Sequence, residues 1–184
     1  MKYIKTYEAL VTLELDQKDL VKIMDNAMMG KKLILIRSLL QNKFDPDYRR
    51  QKSDNTLVLR AAHAKDIDIV KLFIEFNCDL NLKVGYSSPQ KTIIEDILGR
   101  VIQLQHSSTL KDAAIELERY MDIIILLIKS GAKITNPFMT ELNSLRKRRN
   151  INITAEKLFN RIITEAPQEY KDYQLELTTD KYNL

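Results

Sequence analysis

From Leu57 to Leu80 the apolar positions fall into two short runs. Leu57, Ala61 and Ala64 share one face at helical spacing, with Val58 and Ala62 beside them. Thr56 stands where a hydroxyl can cap the first turn. Lys65 and Asp66 interrupt the pattern, and Ile69, Val70, Phe73 and Ile74 resume it as a second stripe. Asn77 follows, at a point where the chain must leave the helix and an L-residue that tolerates the left-handed conformation is useful. The pattern predicts two short helices, about Thr56–Ala64 and Asp68–Phe76, and then an extended link through Asp79, Leu80 and Asn81. Such a pair cannot bury both apolar faces alone, so it predicts copies of itself alongside.

Copies are present. Asp122 to Ile128 repeats Asp68 to Ile74, and Gly131-Ala132 takes the place of Asn77-Cys78. A fainter copy lies upstream, where Leu39-Leu40 matches Phe73-Ile74 and Asp45 precedes Asp79 by 34 residues. Asp19 to Met28 supplies that copy's first helix. The middle unit resembles the ankyrin repeat, whose pattern is roughly TPLHxAA, a break at Gly, an acidic residue before an apolar pair, LLL, then GADVN. The matching residues are Thr56, Ala61, Ala62, Asp68, Ile69, Val70, Leu72, Phe73, Ile74, Asp79, Leu80 and Asn81. The unit departs from the pattern at Leu57, Leu59, Lys65 and Asn77-Cys78. The resemblance spans roughly Asp19 to Asn136 and thins outside the middle unit.

The resemblance implies an all-α fold, an ankyrin-type helix-turn-helix repeat stack with helical caps. The expected organisation is an N-terminal segment at 1–18, repeats at 19–50, 53–85 and 87–136, a C-terminal helical cap at 137–167 and a flexible tail at 168–184. Residues 7–15 alternate weakly and read equally as strand or helix. The helix stops Asn77 and Gly131 are 54 residues apart, so the third repeat carries about 20 residues beyond one period. One helix from Thr92 to Gln105 and a second from Ser108 or Thr109 to Ser130 accommodate them, as a hairpin reaching about 10–15 Å past its neighbours. Val101, Ile102, Leu104, Leu110, Ala114, Ile115 and Leu117 line its sides. They either pack arm against arm or offer a partner an apolar face. Pro137 opens a helix to about Arg149, another runs from Thr154 to Ala166, and Pro167 stops it.

Composition sets limits on chemistry. The chain has 184 residues, 45% hydrophobic and 29% charged, with four Gly and four Pro, too few for an all-β chain of frequent turns. Cys78 is the single cysteine, which rules out an internal disulfide and a cysteine-based metal site. No His, Cys and Asp cluster has metal spacing, and the glycines form no phosphate-binding loop. No cofactor is expected and no enzyme. Met1 to Asp16 has no signal-peptide core, and the longest apolar run, Ile123–Ile128, is far short of a membrane span. The expected location is intracellular and soluble; by analogy with ankyrin proteins of AT-rich, host-associated organisms, delivery into a host cell is a further expectation.

The implied function is a non-catalytic protein–protein interaction module, its partner unidentified. By resemblance the contacts are Lys52, Ser53 and Asn55 at the hairpin before the middle unit, His63 and Ala64 at the end of its first helix, and Ser88, Pro89 and Lys91 in the third unit. The net charge of +4 permits a second reading. Arg146, Lys147, Arg148 and Arg149 form a basic run able to contact nucleic acid or an anionic membrane, or to serve as favourable charge at a helix C-terminus.

Overall fold

The computed structural model describes residues 17–42, 44–49, 55–84, 90–107, 110–148 and 152–182. The alternating stretch 7–15 lies outside them. The described residues form nine helices and no strand: α1 Gln17–Met29, α2 Leu33–Gln41, α3 Leu57–His63, α4 Ile67–Glu75, α5 Ile93–Ser107, α6 Leu110–Lys129, α7 Asn136–Arg146, α8 Asn152–Glu165 and α9 Pro167–Tyr182. The fold is all-α. The chain divides after Cys78 into two compact units. The division falls inside the predicted repeat 53–85, so α3 and α4 belong with α1 and α2, while the outgoing loop belongs with the later helices.

In the first unit two helix pairs repeat in a common register. Each first helix ends on a residue with positive φ, Lys31 (51°) or Lys65 (56°). Lys31 N–H donates to Met28 O and Lys32 N–H to Ala27 O; 34 residues later, Lys65 donates to Ala62 O and Asp66 to Ala61 O. That pairing is the Schellman motif, which satisfies carbonyls left over at a helix end. The same offset recurs after the second helices. Phe44 N–H reaches Leu39 O as Cys78 N–H reaches Phe73 O, and Asp45 accepts from Asp47 N–H as Asp79 does from Asn81 N–H. The period is therefore written in the backbone bonds as well as in the apolar pattern.

The core of this unit comprises Val21, Met24 and Ala27 of α1, Ile36, Leu39 and Leu40 of α2, Leu57 to Leu59, Ala61 and Ala62 of α3, and Ile69, Val70, Leu72 and Phe73 of α4. Ala61 and Ala62, both buried, let neighbouring helices approach closely. Thr56 caps α3 by accepting from Leu59 N–H at 3.3 Å, and Asp66 caps α4 by accepting from Ile69 N–H at 3.3 Å. The Asp66 carboxylate also meets Lys31 Nζ at 3.1 Å, so one side chain ties the two helix–helix turns together. Arg60 pairs with Asp25 at 2.6 Å between α3 and α1. Arg37 and Glu75 form a forked pair between α2 and α4.

In the second unit α5 packs on α6, α7 on α5 and α8, and α8 on α6 and α9. The long hairpin forms as the spacing predicts, α5 reaching Ser107 and α6 running to Lys129. Val101 and Leu117 are buried, Ile102 and Leu104 half-buried, and Ile115 is 60% exposed. Leu110 and Ala114 lie outside the described side chains. Gly131, at φ 104°, ends α6 with the same Schellman pair, to Ile128 O and Leu127 O. The Asn81 side chain donates to Gly131 O and accepts from Lys133 N–H, pinning the incoming link to that turn.

The C-terminal stretch corrects an expectation. Lacking periodicity, residues 168–184 read as a flexible tail, and Pro167 as a stop. Pro167 instead opens α9, where a missing N–H costs nothing, and the helix runs to Tyr182. Its side chains are mostly exposed, so no apolar stripe marks it in the sequence. Tyr170 anchors it edge-on to Phe159 of α8 at 6.0 Å, and Tyr173 donates to Asn136 at 3.2 Å. Burial raises the Tyr173 phenol pKa above its ordinary value.

Candidate interaction surface

The residues nominated by resemblance fall into both units. In the first, Asn55 precedes the Thr56 cap and is half-buried; His63 is half-buried at the last turn of α3, and Ala64 is exposed just after it. Lys52 and Ser53 lie outside the described residues. The Schellman turn at Lys65 fixes the direction in which His63 and Ala64 are presented.

In the second unit, Val84 and Lys91 face each other in an antiparallel bridge, Val84 N–H to Lys91 O at 2.7 Å and Lys91 N–H to Val84 O at 3.1 Å. Val84 is buried, which leaves Lys91 with an exposed side chain and a fixed backbone. Ser88 and Pro89 lie outside the described residues. Next to this bridge Thr92 opens α5 with a capping box: its N–H donates to Glu95 at 2.8 Å, and its hydroxyl accepts from Glu95 N–H at 3.4 Å. The other oxygen of Glu95 accepts from the Thr135 hydroxyl, which itself caps α7 by accepting from Phe138 N–H. One carboxylate thus holds the starts of α5 and α7 side by side.

That clamp borders a cleft of ≈ 420 Å³, lined by Lys83, Gln90 and Lys91 at the Val84–Lys91 bridge, Glu95, Leu98, Gly99 and Ile102 of α5, and Pro137, Phe138 and Glu141 of α7. Sequence reasoning found Lys91 but missed the rest of this wall. The available signal was Gly99, a glycine inside an otherwise helical run.

The basic run behaves differently along its length. Arg146 is turned into the fold: it makes a two-pronged contact with Glu156 at 2.6 and 3.1 Å, and its guanidinium lies 3.8 Å from the centre of the Phe159 ring. Lys147 and Arg148, beyond the end of α7, are exposed, and Arg149 is outside the described residues. An open depression of ≈ 570 Å³ on α8 has Arg146, Lys157 and Arg161 in its lining. Lys157 pairs with Glu118, while Arg161 pairs with Asp122 at 2.8 Å and Glu165 at 2.6 Å. Those bonds, first of all that from Glu165, raise the Arg161 pKa above its ordinary value and lower that of Glu165.

Among the described residues no group of three or more His, Cys, Asp and Glu can hold a metal ion, and Cys78 is buried. No described helix is long and apolar enough to cross a membrane. No curated protein and no solved structure matches the chain. Residues 24–74, which take in the second half of α1 and all but the end of α4, match the family model for ankyrin repeats (many copies). By that match, and by the 34-residue register of its helix pairs and turns, this stretch carries ankyrin repeats.

Proposed function

We propose that the chain is a protein–protein interaction module without catalysis of its own, binding through the residues at the ends of α3 and through the cleft beside the Val84–Lys91 bridge of the second unit. Ankyrin repeats are in general protein-interaction modules and typically non-catalytic. The observation that carries the reading for this chain is the cleft beside Lys91, a concavity with apolar walls and charged rims on a scaffold held by reciprocal caps. Little is ordered when a partner docks on such a frame, so affinity is not spent on folding. The contact residues are Asn55, His63, Ala64 and Lys91, together with Lys52, Ser53, Ser88 and Pro89.

The test is a pull-down from native lysate with the whole chain as bait. Beside it run a variant with Lys52, Ser53, Asn55 and His63 changed to Ala, a Lys91→Ala variant, and one with Lys147 and Arg148 changed to Gln. A defined protein captured by the wild type and lost with either of the first two supports the reading. Capture of nucleic acid or lipid, abolished only by the last variant, overturns it in favour of the basic run.

A further inference from the structure

The two helix–helix turns of the first unit can be compared side chain by side chain, because the 34-residue register that aligns their backbone bonds aligns their residues too. Lys31 stands where Lys65 stands, Lys32 where Asp66 stands, and Ile34 where Asp68 stands. In the third repeat Asp122 holds the place of Ile34. Asp68 and Asp122 are both exposed, as carboxylates in that place should be. Ile34 is 78% exposed, Met29 on the same turn is 75% exposed, and Leu33 is 39% exposed.

The first turn also gives up local stability. Lys32 has nearly the backbone angles of Asp66, φ −84° and ψ 72° against −97° and 89°, yet its side chain caps nothing, whereas Asp66 accepts from Ile69 N–H. A lysine there sets a cation at the positive end of the α2 dipole, and the first turn of α2 has no acid to offset it. Residues that break local rules without a gain in packing mark a site used for something other than folding.

Shape and charge constrain what covers this turn. Side chains three-quarters exposed project rather than line a groove, so the occupant has to receive protruding apolar groups. Three side chains offer well under the about 800 Å² per partner that a stable protein pair buries. From Asn26 to Phe44 the chain has cations and no acid. Lys31 and Lys32 are exposed beside the apolar trio, and the carboxylate that meets the turn, Asp66, is buried and paired with Lys31. A second copy of the chain would bring lysine against lysine. An anionic bilayer suits both features: its interface takes apolar side chains without a matching pocket, and its headgroups attract ammonium groups. We propose that the α1–α2 turn docks on an anionic phospholipid bilayer, with Met29, Leu33 and Ile34 entering the headgroup layer and Lys31 and Lys32 on the lipid phosphates. This goes beyond the interaction-module reading and is independent of it, since no residue nominated for partner contact lies on this turn.

The experiment is flotation of the full chain with vesicles of phosphatidylcholine alone or of an equal mixture with phosphatidylserine. Wild type should float with the mixed vesicles and far less with phosphatidylcholine alone, and salt should weaken the binding. Ile34→Asp, which installs the residue of the sister turn, should lower the partition coefficient about tenfold or more. Lys32→Asp should lower it about fivefold or more. Both changes restore what the sister turn uses, so the double variant should melt no lower than wild type. Ile153→Asp, at an isoleucine 82% exposed in the second unit, should leave flotation unchanged, as should Lys147→Gln with Arg148→Gln. The chain has no tryptophan, so Ile34→Trp is a lone reporter, whose emission should move to shorter wavelength on mixed vesicles and be quenched by brominated acyl chains. Absence of flotation, flotation untouched by Ile34→Asp, an unshifted tryptophan emission, or loss confined to the Lys147 and Arg148 changes would each overturn the proposal. A lower melting point for the double variant would do the same, by showing that these residues serve the fold. A dimer, or a protein captured from lysate, that Ile34→Asp abolishes while vesicles bind nothing would give the turn to a protein instead. Flotation that persists while the Asn55 and His63 changes cost a lysate partner supports both readings, and flotation without any such partner supports this one alone.

Discussion

Lys65 occupies a backbone conformation that costs an L-residue about 1–2 kcal/mol relative to the right-handed helix. Gly at this position removes that strain and gives back part of the gain as unfolded-chain entropy. Lys65→Gly is therefore expected to stabilise the first unit by about 0.5–1 kcal/mol in urea denaturation. Gly131→Ala should do the reverse, destabilising by about 1–2 kcal/mol, because its φ of 104° is strained for any side chain although nothing lies within 4 Å of the added methyl. A pH dependence follows from Glu75, whose pKa lies below the ordinary value because Arg37 donates to its charged form. A depressed folded pKa means stability that is present above the ordinary carboxylate range and lost as pH falls through the folded value. Between pH 5 and pH 3 the wild type should thus lose more stability than Glu75→Gln; equal losses would show that this exposed pair contributes nothing.

At the scale of elements, helices meet through shared caps more than through surface ion pairs. Glu118–Lys157 and Asp122–Arg161 form two rungs between α6 and α8, spaced one helical turn apart on each helix. Each rung has a carboxylate about half exposed to water and should contribute at most about 1 kcal/mol. Glu95 is in another class, since it completes the α5 capping box and fastens the Thr135 hydroxyl at the start of α7. Thr92→Ala should cost about 1 kcal/mol, as an ordinary cap does. Glu95→Ala should cost more, and a double-mutant cycle of Glu95→Ala with Thr135→Ala should show a coupling of about 0.5–3 kcal/mol. Strict additivity would mean that the starts of α5 and α7 are held by packing alone. Arg146→Gln should also destabilise the second unit, by about 1–2 kcal/mol, through loss of the Glu156 pair and the Phe159 stack, whereas Lys147→Gln should be nearly silent.

Over the whole molecule, what was legible follows from what writes a period into a sequence. The helix pairs were readable because buried stripes and turn residues recur together, as Leu39-Leu40 against Phe73-Ile74 and Asp45 against Asp79 show. The long α5–α6 hairpin was readable from the excess between Asn77 and Gly131. The cleft was not, because its walls converge from positions as separated as Lys83 and Glu141, and only Gly99 leaves a local trace. Arg146 was hidden for a related reason: a basic run looks uniform until the fold supplies Glu156 and Phe159 for one member. Helix α9 was hidden because it buries little, so no period of 3.6 is impressed on it. That physical reason leads to a prediction. A helix without a buried stripe draws its order from a few anchors, here Tyr170 on Phe159 and Tyr173 on Asn136. Ending the chain after Ala166 should therefore leave the remaining helices folded and cost only about 1–2 kcal/mol, the scale of one edge-on aromatic pair and one hydrogen bond. Tyr170→Ala in the full chain should remove most of that increment and, in hydrogen exchange, deprotect the amides of α9 before those of α8. If truncation instead unfolds the second unit, α9 is part of the core in a way that its exposed side chains do not account for.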